Sequence, residues 1–226
     1  MSITKYSRRI LSGCSIARSE MLLVVEGNIG AGKSTFLRKL KERYPSIQVF
    51  EEAIDEWNTY TDNEMSLLKA FYTDPTKYAF PLQMAILLSR VNQIRNLNPN
   101  DFNVVERSVF TDIQVFGRTL YRQKRLSEVE YKIICDWVQM CQSLYKIDAF
   151  VYIDVEPNVC QQRVKIRERE GEESINLEYL QEIDQAHREW FNTLETKDKV
   201  CRLTGNDDDD LFEFCRFTET QLGHAF

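Results

Sequence analysis

The apolar run Met21-Leu22-Leu23-Val24-Val25, then Glu26 and Gly27-Asn28-Ile29-Gly30-Ala31-Gly32-Lys33-Ser34-Thr35, leaves a chain few ways to fold. An unbroken apolar run of that length reads as a strand buried on both faces, which needs neighbours in a parallel sheet. The segment after it fits G-x-x-x-x-G-K-[ST], and the spacing of Phe36, Leu37 and Leu40 predicts a helix over about 33–43. Glycines let successive backbone N–H groups turn inward around a phosphate, the helix adds positive potential, and Lys33 supplies a full charge. Ser34 offers its hydroxyl to Mg²⁺. A glycine-rich turn without a ligand is the alternative, and it leaves lysine, hydroxyl and helix in register for no reason. The stretch reads as a nucleoside triphosphate site.

Downstream, strands and helices alternate. Tyr44-Pro45 stops the first helix, and Ile47–Phe50 reads as a strand ending at Glu51-Glu52, with a loop through Trp57. A helix is expected from about Asn63 to Tyr72. A longer one follows Pro75 to about Leu97, kinked at Pro81. Asn103–Val105 is a third strand ending in Glu106-Arg107-Ser108. Helices follow over about 109–123 and 127–145, the second begun by Ser127 and Glu130 at capping-box spacing. Asp148–Asp154 is a fourth strand. A charged helix from Pro157 to about Glu170, another over Leu177–Leu194, a fifth strand over Lys199–Leu203 and a terminal helix after the acid run Asp207–Asp210 complete the chain. This alternation predicts a three-layer α/β/α fold with a five-stranded parallel sheet, one domain over 21–226. Ligands in such sheets bind beyond the carboxyl ends of strands, where Glu52 and Glu106 fall.

The totals exclude several functions. With 226 residues and a net charge of −6, the chain is a poor partner for a nucleic acid polymer, whereas a phosphate-rich small molecule needs only local basic groups. The uncharged stretch Tyr78–Ser89 is too short to span a bilayer. Two histidines, His187 and His224, leave little from which to build a zinc site or a Ser/His/Asp triad. Six cysteines without a C-x-x-C pair suit a reduced, intracellular compartment. Residues 1–20, with Lys5, Arg8, Arg9 and Arg18 and no acid before Glu20, read as a flexible tail of a cytoplasmic protein or as a mitochondrial transit segment.

Four constellations gather near the phosphate loop once the strands lie side by side. Glu52, with Trp57 nearby, can accept the proton of an attacking hydroxyl, or is simply a solvated strand end. Gln83 and Arg90, seven residues apart, share one helix face and can read the edge of a nucleobase, or form a polar surface stripe. Glu106 ends a buried strand where a charge asks for a reason, such as Mg²⁺; Arg107, Asp112 and Phe116 follow it, and an ordinary helix start is the alternative. Arg163, Arg167 and Arg169 ahead of Gly171-Glu172-Glu173 suit a lid over about 163–173 that closes cations over phosphates, or a self-paired charged helix.

Taken jointly, these motifs resemble the deoxyribonucleoside kinases from about Met21 to the C-terminus. The phosphate loop matches, and the family's E-P-V-x-x-W segment resembles Glu52-Ala53-Ile54-Asp55-Glu56-Trp57. Tyr72-Thr73-Asp74-Pro75, Leu82-Gln83 and Glu106-Arg107-Ser108 follow in order, then the lid arginines with Glu172 and Ile175-Asn176-Leu177-Glu178-Tyr179-Leu180. The resemblance implies transfer of the ATP γ-phosphate, with Mg²⁺, to a deoxynucleoside 5′-hydroxyl, with UTP as an alternative donor and a homodimer built on helices 75–97 and 127–145. Glu52 would be the general base and Arg107 would orient the 5′-oxygen. Gln83 would grip the base, Phe116 stack on it, Trp57 line the substrate side, and Tyr72 and Glu172 hold the 3′-hydroxyl. Gly27 to Thr35, with Arg163, Arg167, Arg169 and Asp207, would bind ATP; Ser34 and Glu106 would attend the metal. Arg90 with Asp112 is similar to the deoxycytidine/deoxyguanosine kinase branch, which favours deoxycytidine or a purine deoxynucleoside over thymidine.

Ala53 in place of proline, Leu82 in place of an aromatic residue and Gly171 in place of a lid carboxylate depart from that pattern. A nucleoside monophosphate kinase of the thymidylate kinase type and a non-catalytic P-loop module are the rival readings. The first would need cations where Glu52, Tyr72 and Gln83 stand. A small GTPase would need N-K-x-D and D-x-x-G, and the chain has neither.

Overall fold

A computed structural model describes residues 21–98, 100–142, 146–169, 172–194 and 199–226. The expectations for residues 1–20 and for Gly171 lie outside the described residues. Strand β1 (Met21–Gly27) leads through the phosphate loop into α1 (Lys33–Arg43). Then come β2 (Gln48–Phe50), α2 (Ile54–Asn58), the short pair β3 (Thr61–Asp62) and β4 (Met65–Ser66), α3 (Leu67–Thr73) and α4 (Pro75–Arg95). Strand β5 (Phe102–Glu106) runs into α5 (Val109–Thr111), a wide π-helical turn (Asp112–Gly117) and α6 (Arg118–Arg122). Helix α7 (Glu128–Gln142), strand β6 (Ala149–Ile153), α8 (Pro157–Arg167), α9 (Leu177–Leu194), β7 (Val200–Leu203) and α10 (Asp207–Phe217) follow.

The five long strands form one parallel sheet in the order β2-β5-β1-β6-β7, as the alternation predicts. β1 lies at its centre because its side chains are apolar on both faces. Leu23 and Val25 pack with Phe36, Leu37, Leu40 and Phe214 on the side of α1 and α10. Leu22 and Val24 pack with Ile183, Trp190 and Phe191 of α9 on the other. Each such side chain contributes about 1.5–3 kcal/mol on burial, so two-sided burial fixes the strand's place. A third apolar cluster, around Phe71, Leu87, Leu120, Ile134 and Val138, joins α3, α4, α6 and α7 beside the carboxyl edge.

Three local expectations are corrected. The segment after Glu52 is not a loop through Trp57: it forms α2 and buries Trp57. Residues 61–66 form a β-hairpin, so the helix expected from Asn63 starts at Leu67, capped by Ser66, whose hydroxyl accepts the Lys69 N–H at 3.4 Å. The helix expected over 109–123 widens into the π-helical turn at 112–117. Ser127 and Glu130 form the expected box: Ser127 N–H donates to Glu130 Oε2 at 2.8 Å, and Glu130 N–H to Ser127 Oγ at 3.3 Å.

Candidate active site

β1 delivers the phosphate loop to the carboxyl edge of the sheet at its middle. Gly30 sits at φ +80°, and a Cβ there would lie 2.5 Å from the Cys160 carbonyl oxygen, so only glycine lets the loop pass beneath α8. Lys33 Nζ is buried, donates to the Asn28 carbonyl at 2.9 Å and lies 3.7 Å from Glu106 Oε1. Ser34 Oγ donates to Glu106 Oε2 at 3.0 Å. Burial, with Arg107 beside it, brings the Lys33 ammonium down to about 8. Asn28 does not face the ligand side. Its amide donates to the Leu180 carbonyl (2.9 Å) and its Oδ1 accepts the Ile29 N–H (2.8 Å), which ties the loop to α9.

A cavity of about 750 Å³ opens over this loop. Every site residue expected from the sequence lines it except Gly27 and Asn28, beneath the loop, and Asp207, whose side chain lies outside what the structure describes. Glu52, just past β2, is buried between two guanidinium groups. Arg90 Nη2 donates to Oε1 at 2.9 Å, and Arg107 Nη1 donates to Oε2. Burial alone would raise the carboxyl; Arg107, Arg90 and Lys33 outweigh it and hold it well below the usual carboxylate range.

Arg90 reaches further than the sequence implies. Its Nε donates to Asp112 Oδ2 at 2.8 Å and its Nη1 to the Glu106 carbonyl at 3.1 Å, so the guanidinium links Asp112 to Glu52. Burial raises the Asp112 carboxyl despite that partner. Arg107 holds the left-handed conformation at φ +61°, and its guanidinium lies 5.0 Å over the Phe116 ring. Gln83 is 3% exposed, and its Oε1 has no partner among the described residues. Trp57 Nε1–H donates to Ser89 Oγ at 2.8 Å, which fixes the indole as wall.

The lid arginines behave differently from one another. Arg163 donates to the carbonyls of Ala31 (2.9 Å) and Gly205 (3.2 Å), so it is a strut under the phosphate loop rather than a free cation. Arg167 donates through Nε (3.0 Å) and Nη2 (2.6 Å) to Glu172 Oε2, and Arg169 reaches Oε1 at 3.4 Å. Glu172 is buried beneath both. Tyr72 and Tyr179 line the cavity with it. Burial keeps both phenols protonated: Tyr72 is well raised, with Tyr179 and Glu172 adding to the effect, and Tyr179 is pushed up to about 12. Tyr179 and Leu120 line the cavity without having been singled out from the sequence as site residues. Tyr179 lay within the lid motif, whereas no local signal marks Leu120.

Two buried groups sit behind the cavity. Glu26 is wholly buried, and burial pushes its carboxyl up to about 7 against the Thr111 hydroxyl and Arg107. His187 donates or accepts through Nδ1 at the Ile183 carbonyl (2.9 Å) and stacks on Tyr152; burial brings it down to about 3, a neutral imidazole.

Among the described residues no three His, Cys, Asp or Glu side chains cluster as a metal cage. A hydroxyl and one carboxylate, Ser34 and Glu106, suit Mg²⁺, which keeps waters and takes most of its other ligands from phosphates. A glycine cradle with a buried lysine, facing a carboxylate clamped by arginines across one cavity, defines a P-loop phosphotransferase. The chain matches the Deoxynucleoside kinase family over residues 23–220 and belongs to that family. It is 32% identical to "Deoxycytidine kinase 2" of Gallus gallus, over 74% of this chain and 72% of that one. It is 31% identical to "Deoxycytidine kinase" of Homo sapiens, over 76% of each. "Deoxyguanosine kinase, mitochondrial" of Xenopus laevis is 28% identical, over 77% of this chain and 74% of that one. The protein is a kinase that phosphorylates deoxynucleosides from an ATP-type donor.

Proposed function

We propose that the enzyme transfers the γ-phosphoryl group of ATP, with Mg²⁺, to the 5′-hydroxyl of deoxycytidine or a purine deoxynucleoside in preference to thymidine, and that UTP serves as an alternative donor. One observation carries the reading: Glu52, the Lys33–Ser34 cradle and the open amide oxygen of Gln83 face the same cavity. Gln83 reads the base edge, and the Arg90–Asp112 pair fills the far end where a thymine methyl would sit. Phe116 offers a ring face to the base. Tyr72 and Glu172 take the 3′-hydroxyl.

Glu52 is a weak base in this cage of cations, and the reaction asks for little more. Phosphoryl transfer passes through a loose transition state in most accounts, so the hydroxyl proton is lost late and positioning dominates. Arg107 holds the attacking oxygen while Glu52 receives its proton. Lys33 and the loop N–H groups take the charge that builds on the phosphate oxygens. Ser34 and Glu106 are the residues that would hold Mg²⁺, which when bound neutralises donor phosphate charge. Arg167 and Arg169 exchange Glu172 for the phosphates as the lid closes.

A homodimer is part of the same reading. Val129, Ile133 and Trp137 stand four residues apart on α7, 67%, 38% and 42% exposed, and Leu88 of α4 is 50% exposed. Such a stripe is more apolar surface than a helix needs in water. The deciding measurement is the kcat/KM of all four natural deoxynucleosides with ATP and Mg²⁺. Thymidine is expected to fall at least about tenfold below deoxycytidine or the purines, the size of one lost pocket contact. Equal values would overturn the base assignment.

A further inference from the structure

Glu26 is the next-to-last residue of β1, and its role follows from what it holds. We propose that Glu26 is a positioning residue for phosphoryl transfer: it fixes Arg107 by anchoring the turn that carries it. Glu26 Oε1 accepts hydrogen bonds from the hydroxyls of Ser108 (3.1 Å) and Thr111. Thr111 Oγ1 in turn accepts the Ser108 N–H at 3.1 Å. Both residues belong to the turn that follows Arg107 directly.

Arg107 needs that anchor. A non-glycine residue in the left-handed region is strained, and it persists only where its surroundings over-determine it. Two successive residues of β1 do so here. Val25 accepts the Arg107 N–H at 2.9 Å on one side, and Glu26 holds Ser108 and Thr111 on the other. The strand that opens the phosphate loop thereby sets the position of the arginine that meets the acceptor.

The choice of a carboxylate points the same way. A neutral acceptor would satisfy both hydroxyls, yet Glu26 Oε2 is buried without a partner among the described residues, and so is Arg107 Nε. An unmet buried polar group is destabilising, and more so when charged. When ionised, the Glu26 carboxylate offsets part of that cost, because it balances the buried Arg107 cation that must hold its place while Glu52 changes charge.

The inference rests on Arg107 acting at the reacting oxygen, and a double-mutant cycle in kcat separates the two. Glu26→Ala should lower kcat about 30-fold with nucleoside KM changed less than about threefold, and should cost less than about threefold in kcat when Arg107 is already Gln. A merely structural role would lower kcat by the same factor in both backgrounds, and that result would overturn the inference. An Arg107→Gln variant with unimpaired kcat would overturn the reading of Arg107, and this inference with it. Should Glu26→Ala fail to fold, the cycle with Glu26→Gln decides. That variant keeps an acceptor for Ser108 and Thr111 and loses the charge, with about a fivefold loss expected only when Arg107 is present.

Discussion

Glu52 is one carboxylate shared by two guanidinium groups, and for the proposed general base that arrangement predicts how it fails. Glu52→Gln keeps the shape of the cage but removes both the proposed proton acceptor and the charge that holds Arg90 and Arg107 in position. We expect kcat to fall by about 10²–10⁴-fold while the nucleoside Kd from calorimetry moves only a few-fold. Glu51 is the control: it is exposed, its carbonyl accepts from Gln93 at 2.6 Å, and Glu51→Gln should leave kcat intact. His187 carries a second prediction. Its folded pKa, about 3, is depressed below the unfolded 6.5, so below pH 6.5 the unfolded chain takes up a proton that the folded one refuses. Stability is therefore lost as pH falls from about 6.5 towards 3, at up to about 1.4 kcal/mol per pH unit. Urea titrations of the wild type and His187→Phe should diverge by that slope between pH 6 and 5; parallel curves would refute it. That Glu52 and Lys33 would share one cavity was legible because motif and chemistry coincide in a short stretch. Glu26 was not, although a carboxylate closing an apolar strand is the signal that marked Glu106. Its partners lie more than eighty residues away, and spacing cannot show them.

Elements were readable where the cause was local. The phosphate loop, α1 and the five strands follow from apolar runs, glycines and capping residues within a few positions. The β3–β4 hairpin escaped because its turn hides its own signature. Asn63 and Glu64 both hold positive φ, +50° and +64°, the pairing that a two-residue hairpin turn demands and that Asn-Gly usually supplies. With Glu in the glycine position the stretch reads as polar helix start. Glu64→Gly should accordingly raise stability by about 0.5–1 kcal/mol in denaturant titration, because it removes left-handed strain at a solvent-facing site. A loss of stability would mean that the Glu64 side chain contributes more than its backbone costs. The wide turn at 112–117 was unreadable for another reason. Gly117 admits it, since a Cβ there would meet the Asp112 carbonyl at 2.6 Å, but one glycine in a helical pattern does not announce a change of pitch. That turn carries Asp112 and Phe116 to the wall of the cavity.

Across the whole molecule, the apolar stripe on α7 and the sheet order set the remaining expectations. Trp137→Glu should convert the proposed dimer to monomers in light scattering at micromolar concentration, because a charge within an apolar patch buried between protomers costs more than a small interface returns. A wild-type chain that is monomeric there would refute the dimer. The strand order also governs how the chain comes to be built. β1 is made first, yet Leu23 pairs with Ala149 on one flank and with Val104 on the other. During synthesis the nascent strand waits on the order of ten seconds for its second neighbour to emerge from the ribosome. Until then a sticky apolar ribbon stands half-dressed, so holdase capture of ribosome-bound chains should peak at lengths short of β6 and fade once it is out.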